Sequence, residues 1–123
     1  MSSIQSFTGL HAWQEAHTLV LLVYKATEHF PSSEAFALTN QLRRAAVSIT
    51  SNIAEGFSRR SSKEKAQFYS TALGSLTEIQ NQILIGRDVG YIQNDAFDTL
   101  ASQSIVVSKL INGLLKAVRN RIP

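Results

Sequence analysis

The 123 residues include 12 Lys or Arg against 9 Asp or Glu, for a net charge of +3 and a pI near 9.5, and 44% are hydrophobic. That length and apolar content predict one folded domain, 1–123, and exclude a disordered chain, while two prolines and six glycines exclude a linker. The absence of cysteine removes disulfide frameworks, thiolate metal sites, iron–sulfur clusters and thiol catalysis, and no apolar run approaches the ~20 residues of a membrane span.

The opening MSSIQSFTGL has no basic start followed by an apolar stretch, so no secretory signal is expected and the cytoplasm is the expected compartment. A helical period then sets in. Leu10, Trp13, Ala16, Val20, Val23 and Thr27 recur at steps of three and four, which places them on one face of a first helix. Thr8 is its candidate cap, and Phe30-Pro31 ends it, because the residue before proline avoids the helical region.

Ser32 or Ser33 is the expected cap of a second helix, with Glu34 in its first turn and a stripe of Leu38, Leu42, Ala45, Ala46, Ile49 and Ile53. Gly56 stands where that helix is expected to stop. Ser61 and Glu64 have capping-box spacing and start a third helix, whose stripe is Phe68, Tyr69, Ala72, Leu76, Ile79 and Ile83. It ends near Gly90. Asn94 or Asp95 is the expected cap of a fourth, with Phe97, Leu100, Ala101, Val107, Ile111, Leu114 and Val118 facing inward. Helices of about 20–28 residues joined by short links predict an all-α, antiparallel, up-down-up-down four-helix bundle.

Bundles often enclose metals or cofactors, and here the sequence argues against one. A di-metal carboxylate site needs Glu-x-x-His pairs on two helices. His11, His17 and His29 all fall in the first helix, and none follows a glutamate by three. Glu55 and Glu78 could point inward, but two carboxylates make a poor cage for a hard cation. No Gly-rich phosphate loop and no nucleophile triad is visible. The expectation is a protein without metal, cofactor or catalytic residues.

The polar face of the second helix is more informative. Arg44, Ser48, Ser51, Asn52 and Glu55 recur beside the apolar stripe, with Arg43 adjacent, and read as a polar packing network or a seam against another subunit. Leu19, Leu21, Leu22 and Val23 nearly circle the first helix. An apolar surface that wide predicts self-association, because only a second chain can cover the outer side of a bundle helix.

Charge is unevenly distributed. Residues 41–65 hold Arg43, Arg44, Arg59, Arg60, Lys63 and Lys65 against two glutamates, and residues 99–123 hold Lys109, Lys116, Arg119 and Arg121 with no acid. In an antiparallel bundle the second loop and the C-terminus share one end, so Arg59, Arg60, Lys63, Lys65, Lys116, Arg119 and Arg121 form a basic end. Arg43 joins it if it faces outward. Helix dipoles favour bases at helix C-termini and so account for Arg59 and Arg119. They do not account for Lys63 and Lys65 in the first turn of a helix. RNA or DNA phosphates are the natural target of such an end. No aromatic residue interleaves with these bases in sequence, so base stacking is not expected.

The run Gln41-Leu42-Arg43-Arg44-Ala45-Ala46-Val47-Ser48-Ile49, then Ser51-Asn52-Ile53-Ala54-Glu55-Gly56, resembles the signature of small bacterial proteins encoded in intervening sequences of 23S ribosomal RNA genes. Trp13, Ala16, Val23-Tyr24, Phe30-Pro31 and Glu34 extend the resemblance through the first third. Phe68, Ala72, Gly74-Ser75-Leu76, Glu78, Gln82 and Gly90-Tyr91 extend it through the third helix. The resemblance implies a four-helix bundle assembling as a homopentamer, related to the accessory variability proteins of diversity-generating retroelements. It implies no catalysis. Partners are then expected to be further copies of the chain, with nucleic acid as the proposed ligand; the alternative is a protein-binding adaptor or scaffold with no nucleic-acid role.

Overall fold

The helical period is realised in four α-helices: α1 (His11–Thr27), α2 (Leu38–Ser58), α3 (Ser62–Asp88) and α4 (Asn94–Arg119). Short 3-10 turns at Phe7–Gly9 and Ser32–Glu34 precede α1 and α2. This computed structural model describes residues 7–123, and among them there is no strand.

The helices pack in a closed cycle, α1 on α2, α2 on α3, α3 on α4 and α4 on α1. Paired positions ascend one helix as they descend the next. Ser48 meets Ser75 and Gly56 meets Tyr69 between α2 and α3. Gln80 meets Ser104 and Ser70 meets Arg119 between α3 and α4. The stripes converge on one core in which Leu19, Leu42, Ile49, Ile53, Leu76, Ile79, Ile83 and Ile111 are fully buried. Burying side chains of this kind contributes about 1.5–3 kcal/mol each, which makes the core the main source of stability.

Four local expectations are corrected. Thr8 does not cap α1: the cap position is Leu10, without a side-chain hydrogen bond, and the Thr8 carbonyl instead accepts from Gln14 Nε2 at 3.0 Å. α2 begins at Leu38, not after Ser33, because Ser32–Glu34 is spent in a 3-10 turn. Glu34 caps α2 from outside it, its Oε1 accepting from Leu38 N at 3.2 Å. Gln93, not Asn94 or Asp95, occupies the cap position of α4, and Asp95 accepts from the neighbouring Ala96 N at 2.8 Å. Gly56 does not end α2; it lies inside the last turn, buried against Tyr69.

The third helix starts as its spacing implies. Ser61 Oγ accepts from Glu64 N at 3.1 Å and donates to Glu64 Oε2 at 3.1 Å. Its end turns on Gly90, whose φ of +88° is a conformation that glycine adopts without cost, and Tyr91 N then reaches Gly86 O at 2.8 Å.

The apolar excess is distributed differently from the expectation. On α1, Leu19 and Val23 are buried, Leu22 is half-buried and Leu21 is exposed. Other large apolar side chains stand out on every helix, including Val47, Ile85, Val89 and Ile105. The most exposed is Phe36 in the connection to α2, at 97%.

Candidate nucleic-acid interface

The carbonyls of a helix's last turn lack intrahelical partners and attract positive charge. At the end of α2 this need is met from α3. Lys65 Nζ donates to Phe57 O at 2.7 Å and Gly56 O at 3.3 Å, and it lies 5.4 Å from the centre of the Phe57 ring. Lys65 is therefore a structural cap, which corrects its assignment as a free base. Its position in the first turn of α3 has a local explanation after all: the neighbouring C-terminus of α2 outweighs the N-terminus of its own helix.

The other bases around this junction are more available. Arg60, Lys63, Lys116 and Arg121 are exposed, and their side chains have no hydrogen bond or ion pair to any described residue. Arg59 makes one long contact to Glu55, at 3.5 Å, and stacks on the Phe68 ring at 4.8 Å. Arg119 reaches Ser70 Oγ at 3.4 Å, which carries the end of α4 to the first half of α3. An exposed pair such as Arg59–Glu55 contributes at most about 1 kcal/mol, so Arg59 is easily drawn to another anion. Phe57 and Phe68 do lie beneath bases of this region, a pairing invisible in sequence because α2 and α3 contribute one partner each. Both rings are faced by their own cations.

A family model described as 23S rRNA-intervening sequence protein matches residues 8–113. The chain belongs to that family. Comparison with curated proteins gave no match. Among solved structures, the chain is similar to the crystal structure of a protein of unknown function from the S23 ribosomal protein family of Bacteroides thetaiotaomicron VPI-5482. The TM-score is 0.77 at 18% identity, over 85% of this chain and 95% of that one. Such a likeness speaks for the fold. The family match contains Arg59, Arg60 and Lys63 and stops before Lys116, Arg119 and Arg121.

The polar face of α2 divides into two sets. Arg43 faces inward, not toward the basic cluster: its Nε donates to Thr27 Oγ1 at 2.8 Å, and its guanidinium stacks on Tyr24 at 4.7 Å. This ties α2 to α1. Ser48 Oγ pairs with Ser75 Oγ at 2.9 Å, and Asn52 Nδ2 donates to Ser48 O at 2.8 Å and Ser48 Oγ at 3.1 Å, which ties α2 to α3. Arg44, Ser51 and Glu55 are exposed instead. The four-residue step from Ser51 to Glu55 follows the helix surface, and the partner that Glu55 finds within the chain is Arg59.

Beside this set lies a feature with no sequence signature. Gln82 is 8% exposed, and its Oε1 has no hydrogen-bond partner among the described residues. It borders a shallow groove of about 300 Å³ between α2 and α3, with Arg44 and Glu78 also along it. Glu78 and Glu55 are both exposed, which corrects their inward placement. Among the described residues no three His, Cys, Asp or Glu side chains gather as a metal site would require, and no helix is long and apolar enough to cross a membrane.

Tyr91 joins the two connections at the far end of the molecule. Its hydroxyl donates to Glu34 Oε2 at 3.2 Å, and its ring meets Phe30 at 5.4 Å between centres. Desolvation, the Glu34 charge and the hydrogen bond to it all raise the Tyr91 pKa above the ordinary phenol value. Burial alone raises that of Tyr69.

Proposed function

We propose that this chain is a non-enzymatic, self-associating protein of the cytoplasm, an antiparallel up-down-up-down bundle that binds RNA or DNA phosphates through one basic end. The observation that carries the reading is the group of bases without partners, Arg60, Lys63, Lys116 and Arg121, with Arg59 and Arg119 weakly held beside them. Lys63 is the most telling member. It lies in the first turn of α3, where the helix dipole disfavours a cation, and it caps nothing. Alternating pairings between successive helices support the antiparallel course.

The resemblance of the α2 run implies a pentameric ring. In a ring whose axis runs parallel to the bundles every protomer turns its basic end to the same side, and weak phosphate contacts add through multivalency. Neutralised phosphates release counterions, so affinity falls steeply with salt, by a slope of about −0.7 per phosphate for single strands.

The test is fluorescence anisotropy of labelled single-stranded and duplex RNA and DNA between roughly 50 and 300 mM salt. A steep slope that flattens when Arg60, Lys63, Lys116 and Arg121 are changed to Gln supports the reading. No binding at the lowest salt overturns it and leaves a protein-binding adaptor as the reading to pursue.

A further inference from the structure

Phe36 is an unusual residue on the surface. Its ring is 97% exposed, so it touches almost nothing in its own chain. Its neighbours are Ala35 and Ala37, which leave the ring free of bulk on either side. A phenylalanine displayed in this way costs the isolated chain the benefit of burial.

The same chain has an apolar recess that nothing fills. A groove of about 690 Å³ opens between the end of α1 and the start of α4, under the turn that follows α3. Leu22, Ala26, Ala96 and Leu100 form much of its wall, and Lys25 and Thr99 stand at its edge, both exposed. That volume lies in the range of pockets that enclose small ligands, and it exceeds what one aromatic ring requires. Because Phe36 is almost fully exposed, it does not occupy the groove of its own chain.

Charge agrees with shape. Lys25 has no ion pair to any described residue. The connection that displays Phe36 carries Glu28 and Glu34 and no lysine or arginine. Glu34 is engaged within its own chain by Leu38 N and the Tyr91 hydroxyl, so the exposed Glu28 is the carboxylate that an approaching loop brings toward the unpaired Lys25.

We propose that Phe36 of one copy of this chain inserts into the α1–α4 groove of a second copy. This rests on the self-association proposed above and gives it a specific contact. Knob and groove are different surfaces, so the contact either repeats head to tail, closing a ring when the rotation per copy divides a full turn, or is exchanged reciprocally within a two-fold pair. Both surfaces belong to the end that carries Tyr91 and Glu34, so the contact leaves the basic residues of every copy uncovered.

The experiment is sedimentation velocity on the full chain, on Phe36→Asp, on Thr99→Trp and on an equimolar mixture of the two variants. Phe36→Asp removes the knob, and Thr99→Trp obstructs the groove from an exposed position, so each is expected to keep the thermal melt of the parent. Each variant alone should be monomeric at concentrations where the parent is assembled, with association at least 100-fold weaker. The mixture retains one intact knob and one intact groove and should form one-to-one pairs that grow no further. A parent chain that assembles while Phe36→Asp assembles equally well overturns this contact and leaves self-association standing. A parent chain that stays monomeric up to its solubility overturns both.

Discussion

Gly56 and Tyr69 hold α2 and α3 closer together than any side chain at position 56 permits. A Cβ built on Gly56 lies 2.7 Å from Tyr69 Cε1 and 3.0 Å from Phe68 Cβ. Tyr69 is 2% exposed, so its ring cannot swing aside. Gly56→Ala gains up to about 1 kcal/mol in helix propensity. Overpacking at a buried contact costs about 1–3 kcal/mol, and with three contacts at or below 3.0 Å the clash wins. The variant is expected to unfold at lower urea, and an equal or higher midpoint shows that the two helices separate cheaply.

Lys65 and Lys63 should behave oppositely although they are two residues apart. Lys65→Gln removes a charged donor from the carbonyls of Gly56 and Phe57 and should lower stability by about 1–2 kcal/mol. Its effect on the salt dependence of RNA binding should be nil. Lys63→Gln touches no partner, should leave the urea midpoint unchanged, and should flatten the salt slope. Equal loss of binding from both changes contradicts the division of roles.

Gln82 Oε1 is a buried acceptor without a donor among the described residues. Such a group costs about 1–3 kcal/mol of desolvation, whereas an apolar replacement of similar shape avoids the cost. Gln82→Met should therefore raise stability by about 0.5–2 kcal/mol. A destabilised variant would mean that water or a partner satisfies this oxygen in solution.

Tyr91, like the buried Tyr69, should make stability fall at alkaline pH. Its pKa is raised in the fold, so its protonated form is favoured by folding. The stabilisation is complete below the unfolded phenol value of about 10 and is lost as pH rises through the higher folded value. Between these limits the unfolded chain binds fewer protons than the native one, so stability falls with pH. Tyr91→Phe lacks the titrating group and should show a flatter decline above about pH 10 in thermal melts. Identical alkaline slopes for the two proteins contradict the Glu34 linkage.

How far the sequence could be read depended on the range of each interaction. Ser61 and Glu64 are three residues apart, and their cap formed as the spacing implied. Arg43 had nothing local to betray that it bonds Thr27 on another helix. The start of α2 departs from the expectation because a serine suited to capping also suits a 3-10 turn, and Glu34 reaches Leu38 N in place of a serine cap. In the proposed basic cluster the candidate bases can be named from the sequence, and only α2 lying against α3 separates Lys65 from the rest.

The apolar period by itself determined four helices and most of the inward face of each, because these depend on residues three or four positions apart, although the buried Leu19 and Leu115 fall outside the expected stripes. The tertiary structure decided which long polar side chains are spent and which are free. Lysine and arginine reach across helices and take the nearest unsatisfied oxygen, and which oxygen is nearest is known only once the helices are packed. The same packing decided that Gly56 serves a close approach, that Gln82 has no partner, and that an exposed Phe36 and an empty groove belong to one chain without meeting in it.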